Sequence, residues 1–253
     1  MTPRLGRIPY LNTEPFFADD EVRANAVVEV PSRMIDLARL GAVDIAPLPV
    51  VAAFDHPDLF RPVGGLGIAA AGAARSVFLR STVPFENLAD ACIGVIDETA
   101  TSVRLLKVLL QFRFDVSHAT FVALDQPADA SLLIGDKALL QSRNLHTHPY
   151  ELDLAAEWHA WTGLPFVFAS WMARRDVTPD ACDAAVDYFN ANLDTNLSDT
   201  TAIHRRRPDL GLSAEAVATY LRTFRYRFDD SAWAGLDHFQ ELDARLTAVE
   251  RVA

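Results

Sequence analysis

The stretch from residue 26 to 51 constrains the fold more than any other part of the chain. "AVVEV" (26–30) is β-branched and reads as a strand. Pro31 and Ser32 follow, and Ser32 is expected to cap a helix. "RMIDLARL" spaces Met34, Ile35, Leu37 and Leu40 along a helical face, and Gly41 ends the helix one residue past its C-cap. "VDIAPLPVV" (43–51) is a strand again. Two strands joined by a short helix imply a parallel crossover.

A second block repeats this grammar. "RSVFLRS" (75–81) alternates in part and reads as a strand. "ACIGVI" (91–96) is a strand, "DETATS" (97–102) a polar turn, and "VRLLKVLLQF" an amphipathic helix with its leucines on one face. "TFVAL" (120–124) and "ASLLIGDKAL" (130–139) continue the alternation. "PFVFASWMA" (165–173) reads as a strand returning through the core. Past residue 175, "TPDACDAAVDYFNANL", "SAEAVATYLRTFRYRF" and "SAWAGLDHFQELDARL" read as three helices, with no strand signal left. The expectation is an α/β protein of two lobes. Residues 1–83 with 173–253 form the first, and 84–172 form an inserted second. Two lobes joined by two crossings make a cleft, where small ligands bind.

Half of the 253 residues are hydrophobic, which fits a globular chain rather than a disordered one. The formal net charge of −11 argues against nucleic acid and anionic membranes as partners. It also means that an anionic ligand must be held by local dipoles and hydrogen bonds. Cys92 and Cys182 stand far apart, outside any CxxC or Cys/His spacing, so neither a disulfide framework nor a zinc site is expected. The opening residues carry no apolar run of export-signal length, so a cytoplasmic protein is expected.

Several polar positions at strand ends are candidates for a site. Thr101 and Ser102 fall where a helix begins, next to free N–H groups and a partial positive charge, which suits a carboxylate. The alternative is that one of them only caps the helix. "YLNTEPFF" puts Asn12 and Thr13 at the tip of the first strand between Pro9 and Pro15. Asn12 can donate and accept at once, and Thr13 adds a hydroxyl; the alternative is a turn that satisfies its own backbone. In "LLIGDKALL", Gly135 allows a close backbone approach and Asp136 follows an apolar strand, either in the site or capping the next helix. Ser76 opens the strand "RSVFLRS". His146 and His148 flank Thr147, but nothing nearby completes a metal set, and both read as surface loop. No Walker A, GxSxG, HExxH or GxGxxG motif is present. "GGLG" (64–67) does not follow a good strand. "HRRRP" (204–208) reads as a solvated helix end.

"GRIPYLNTEPFF", "VPSRMIDLARLGAVDIAPLPV", "RSVFLRS", "TATSVRLLKVLL", "LLIGDKAL", "YELDLAAEWHAWTGLPFVFASW" and "YLRTFRYRF" occur in one order over nearly the whole chain. Together they resemble the chorismate dehydratase family of the futalosine route to menaquinone. The resemblance implies a periplasmic-binding-protein-like fold of the second type, used as a cytoplasmic enzyme. It implies dehydration of chorismate, a dicarboxylate, to 3-enolpyruvylbenzoate with neither metal nor organic cofactor. It places Asn12 at the reacting ring, Ser76, Thr101 and Ser102 on the substrate carboxylates, and Gly135 and Asp136 on the far wall. Pro47 and Pro49 stand where some relatives carry Ser, so no ligand role is assigned there. A sister family that makes dihydroxynaphthoate in the same route opens on a different N-terminal motif. A non-catalytic anion receptor and a transcriptional effector-binding module are the rivals from other classes. The first would need an export signal and the second a basic DNA-binding segment.

Overall fold

The computed structural model describes residues 3–141 and 148–250, with side chains as far as Leu246. The chain opens with β1 (Gly6–Arg7), a 3-10 turn over Leu11–Phe16, α1 (Asp20–Asn25), β2 (Val27–Val28), α2 (Pro31–Arg39), β3 (Ile45–Pro49), α3 (Val51–Asp55) and β4 (Phe60–Ala70). Next come β5 (Val77–Ser81), β6 (Cys92–Val95), α4 (Thr101–Val108), which runs on into a π-turn over Leu109–Arg113, then β7 (Thr120–Ala123), β8 (Ala130–Ile134), α5 (Gly135–Gln141), β9 (Tyr150–Asp153) and α6 (Leu154–Thr162). The last stretch holds β10 (Phe166–Arg174), α7 (Pro179–Ser198), α8 (Thr201–Arg206), α9 (Ala214–Leu221), β11 (Phe224–Arg227) and α10 (Asp230–Glu250). No described helix is long and apolar enough to cross a membrane.

The chain divides into two units, Met1–Ala69 with Val167–Asp229 and Ala70–Phe166 with Asp230–Ala253. The expected boundaries at 83 and 172 therefore move to 69 and 166. A third crossing, before Asp230, gives α10 to the second unit rather than the first. There α10 packs by Phe239 on Trp158 and Phe166, and Arg104 of α4 holds its Asp243, meetings that local pattern does not reveal.

In the first unit, β1 pairs parallel with β2, and a parallel bridge joins Leu5 to Ile45 at the start of β3. This is the expected parallel crossover. Pro31 stands at the first helical position of α2, where its missing N–H is no loss, so Val30 is the N-cap and Ser32 lies inside the helix. At the other end Gly41 takes φ +72. Its N–H reaches Ala38 O at 3.1 Å and that of Ala42 reaches Leu37 O at 2.9 Å, the two bonds of a Schellman cap. A four-stranded sheet runs in the order β11-β4-β10-β3. Pro47 and Pro49 both lie in β3, at the end of that order, and prolines without a ladder N–H belong on such an edge. Phe16, Phe17, Trp171, Phe189 and Tyr226 form the aromatic core of this unit; Trp171 stacks on Phe189 at 3.7 Å.

Two strands here depart from the sequence expectation. "GGLG" lies within β4, and β11 takes "FRYR" out of what reads as one long helix. In β11, Phe224 and Tyr226 are buried while Arg225 and Arg227 are not, a two-residue period that no helix surface gives.

In the second unit a five-stranded sheet runs β7-β6-β8-β5-β9. β6 is parallel to β7 and β8, and β5 is antiparallel to β8 and β9. Trp158, Phe166 and Phe239 pack edge to face in its core.

Candidate functional site

Register decides which polar residues of the second unit meet. Val77 of β5 pairs with Ile134 of β8, so Ser76, just before β5, lies beside Gly135, just after β8. Val95 of β6 pairs with Leu132 of β8 in parallel, so the turn after β6 leaves from the same end of the sheet. That turn leads to Thr101 and Ser102 at the start of α4. Ser76, Thr101, Ser102, Gly135 and Asp136 therefore gather at one sheet end, beyond the carboxyl ends of its parallel strands, where open α/β sheets take ligands. The Lys137 ammonium, 2.7 Å from Glu98, ties the two turns together.

α4 has eight residues, and Ala100 is its N-cap with no side-chain bond to the free N–H groups. Neither Thr101 nor Ser102 caps the helix: they are its first two residues, and both are buried. Thr101 Oγ1 is cut off from solvent and has no hydrogen-bond partner among the described residues; Thr99 Oγ1 is in the same condition. A buried hydroxyl without a partner costs stability. Both lie in the stretch that leads into the uncapped start of α4.

Gly135 takes φ +62, which lets β8 turn into α5 without an intervening loop. Asp136, half-buried, lies in the first turn of α5, where the helix dipole favours a carboxylate. Ser76 is buried, with its hydroxyl 3.4 Å from Ala74 O. The loop in front of it is pinned by Asp153. That carboxylate accepts from the N–H of Ala74 at 3.2 Å and of Arg75 at 2.6 Å, and from Ala155 and Ala156 in α6 at 3.0 and 3.1 Å. Arg75 is held at φ +60, outside the usual range for a side-chain-bearing residue. Burial raises the Asp153 carboxyl above its ordinary value, and the four N–H donors pull the other way. Sequence reasoning did not single out Asp153. Its signal was an Asp just before the apolar "LAAEW", the mark of a helix N-cap.

Asn12 and Thr13 belong to the first unit. Thr13 is buried, and its Oγ1 lies 2.6 Å from Ile8 O and 2.9 Å from Tyr10 O. Its hydroxyl serves the backbone, against the expectation that it meets substrate. Asn192 and Asn196 of α7 donate to Phe16 O at 2.8 Å and Pro15 O at 3.0 Å. Glu14 is fully buried among three arginines, Arg7, Arg23 and Arg207, the last of them from "HRRRP". Arg206 and Arg207 keep only 15% and 10% of their side chains exposed, so these two are packed, while Arg205 and Pro208 of the same run are exposed as expected. Within the 3-10 turn Asn12 alone is not buried, and its side-chain amide has no hydrogen-bond partner among the described residues. The turn is held through Thr13, Glu14, Pro15 and Phe16, and not through the Asn12 amide.

Among the described residues no group of three His, Cys, Asp or Glu is placed to hold a metal ion. His146 lies outside the described residues.

A family model described as menaquinone biosynthesis matches residues 3–245. The chain belongs to this menaquinone biosynthesis family. A chorismate dehydratase of Thermus thermophilus is 28% identical over 258 residues, covering 94% of this chain and 93% of that one. Among solved structures, protein AF1704 of Archaeoglobus fulgidus superposes with a TM-score of 0.78 at 16% identity, over 96% of this chain and 97% of that one. The Candida albicans CA3427 product, described as having the generic periplasmic binding protein fold, gives a TM-score of 0.60 at 14% identity, over 97% and 90%. This menaquinone biosynthesis protein therefore has a periplasmic-binding-protein-like fold.

Proposed function

We propose that the protein is a chorismate dehydratase, a hydro-lyase that converts chorismate into 3-enolpyruvylbenzoate and water. The name of the Thermus thermophilus relative supports this reading, as do the motifs that resemble that family. The observation that carries the site is the buried, unpartnered Thr101 hydroxyl at the uncapped start of α4.

The chemistry suits such a site. Chorismate brings two carboxylates to a protein of net charge −11. Free N–H groups and the hydroxyls of Thr101, Ser102 and Ser76 hold a carboxylate without adding positive side chains. Gly135 brings backbone close at the neighbouring strand end. The reaction takes one ring hydrogen as a proton and one hydroxide from the adjacent carbon. The C–H electron pair becomes the ring double bond that completes the aromatic system. Aromatisation drives the reaction, so the protein has to orient the ring and assist a poor leaving group. Asn12 supplies an amide to the departing hydroxyl, and the substrate's own enolpyruvyl carboxylate takes the proton. A cytoplasmic location belongs to the same reading.

Incubation of the purified protein with chorismate tests this directly. Formation of the aromatic product, followed by ultraviolet absorbance and identified by mass, is expected. Tight binding of chorismate without turnover would favour a receptor instead.

A further inference from the structure

Glu14 lies two residues after Asn12 in the same 3-10 turn, and its side chain has no exposed surface. Its Oε1 is 3.2 Å from Arg7 Nη1 and 3.0 Å from Arg23 Nη2, and its Oε2 is 3.0 Å from Arg23 Nε. Arg207 Nη1 stands 3.9 Å from Oε1. Arg206 adjoins this group, with Nη1 3.3 Å from Ala18 O and 3.5 Å from Asp20 Oδ1. Arg207 also pairs with Asp209 at 2.8 Å. The Arg7 guanidinium is held below its ordinary pKa by burial, Arg23, Arg207 and Arg206 add to that effect, and Glu14 opposes it. The cations crowd one another, and Glu14 is the buried anion shared by Arg7, Arg23 and Arg207, with Asp209 and Asp20 at the edge.

Stability alone is a poor reason for this arrangement. Buried ion pairs are costly to desolvate, and apolar residues of similar volume commonly hold a fold at least as well. What the cluster adds is direction. At its two ends the turn is closed by Thr13 N–H to Tyr10 O at 3.1 Å and Phe17 N–H to Glu14 O at 3.0 Å, while Pro15 inside it has no N–H to give. With three residues per 3-10 turn, positions 12 and 14 point to different sides. Anchoring Glu14 inward therefore fixes where Asn12 points outward.

We propose that Glu14 is the positioning residue of Asn12, its ion pairs with Arg7, Arg23 and Arg207 fixing the turn so that the Asn12 amide meets the substrate in one orientation. This rests on the reading of Asn12 as the residue at the reacting ring. Glu14 itself touches no substrate. Removing its charge leaves binding of the substrate carboxylates intact and lowers the rate of the chemical step.

The test measures kcat and KM with chorismate for Glu14→Gln and Arg23→Gln, each alone and combined with Asn12→Ala. Single-turnover conditions with enzyme in excess keep slow rates readable. Met172→Ala, a cavity in the core of the same unit away from the turn, controls for general loosening. Circular dichroism confirms folding at the assay temperature. Should Glu14→Gln fail to fold, Arg23→Gln carries the test, since Glu14 keeps Arg7 and Arg207. Glu14→Gln is expected to lower kcat at least about tenfold, with KM within about twofold, and Arg23→Gln less. Neither lowers the rate further once Asn12 is Ala, because residues acting through one another are not additive. Losses that multiply in the Asn12→Ala background, or a raised KM at unchanged kcat, or an equal kcat loss in Met172→Ala, overturn the assignment of Glu14. An Asn12→Ala variant with wild-type turnover overturns instead the reading of Asn12, and this proposal with it.

Discussion

Arg104 Nε donates to Asp243 Oδ1 at 2.6 Å, and its Nη2 pairs with Oδ2, so α4 and α10 are joined by a two-point ion pair. Asp243 is 3% exposed. The pair spans 139 residues of sequence and attaches the last helix to the helix whose first turn is the candidate anion site. Deleting one partner of a buried pair leaves the other charge uncompensated, at a cost of about 3 kcal/mol or more. Asp243→Ala is therefore expected to lose about that much in urea unfolding. Replacing both, as Arg104→Met with Asp243→Leu, should recover most of the loss. A double variant as unstable as the single one would mean that helix packing, not charge, is at stake.

That pair also shows which parts of the fold were legible. The β2-α2-β3 unit was readable because its signals are local: β-branched runs, one apolar helical face, and a glycine at φ +72. β4 was not, because Gly64, Gly65 and Gly67 look like a break. In the fold they are needed. Gly64 and Gly65 take φ +63 and +60, and a Cβ on Gly67 would stand 2.2 Å from Ala169 O of β10. α10 meets Arg104 and Trp158 of the second unit, and Arg207 of "HRRRP" meets Glu14; both are meetings between residues far apart in sequence. Among the candidate residues, strand ends pointed to Ser76, Thr101, Ser102, Gly135 and Asp136, which the register brings to one sheet end. Thr13 misled because a hydroxyl in a turn looks the same whether it faces a ligand or its own backbone.

Thr101→Val separates a ligand-binding hydroxyl from a capping one. A cap contributes roughly 1 kcal/mol to stability, so its loss would lower Tm. Thr101 Oγ1 makes no such bond among the described residues, so its replacement by a methyl of the same shape should leave Tm unchanged or slightly higher. Chorismate binding should weaken by about 1.5–3 kcal/mol, roughly ten- to a hundred-fold, because a hydrogen bond to a charged group is lost. Calorimetric melting and the substrate dissociation constant check the two halves separately. A lowered Tm with unchanged binding would make Thr101 a structural residue.

Asp44 gives a pH-dependent expectation. Its carboxylate takes Arg4 Nε at 3.1 Å, Arg4 Nη2 at 2.8 Å and the Arg4 backbone N–H at 2.8 Å, with Arg174 at 3.6 Å. The hydrogen bonds from the Arg4 side chain lower its pKa most; burial opposes them, and the Arg4 backbone N–H and the charges of Arg4 and Arg174 lower it further. A carboxyl whose pKa is lower folded than unfolded stabilises the fold above its unfolded value, about 3.9, and loses that contribution as pH falls through the folded value. Wild type should therefore melt above Asp44→Asn at neutral pH, and the gap should close as pH falls below about 4. A Tm difference that stays constant across that window would mean that Asn replaces the carboxylate in shape alone and that charge contributes nothing.

Asn12 remains the sharpest position in the chain. Its neighbours are fixed by Thr13 on Ile8 O, by Asn192 and Asn196 on the carbonyls of Phe16 and Pro15, and by Glu14 on its arginines. Asn12→Asp changes one atom of an amide that makes no internal bond among the described residues, so the fold should be kept and Tm should move by about 1 kcal/mol equivalent or less. Activity should not be kept. The carboxylate has no donor for the departing hydroxyl, and it adds a negative charge close to a dianionic substrate, where repulsion grows as water is excluded. Asn12→Ala removes the donor without adding charge. Both variants should lose most of kcat, and Asn12→Asp should also raise the dissociation constant of chorismate, while Asn12→Ala leaves it nearer the wild-type value. The order of the two dissociation constants is the decisive measurement: if Asn12→Asp binds chorismate as well as Asn12→Ala does, Asn12 is not beside the substrate carboxylates, whatever it does for the rate.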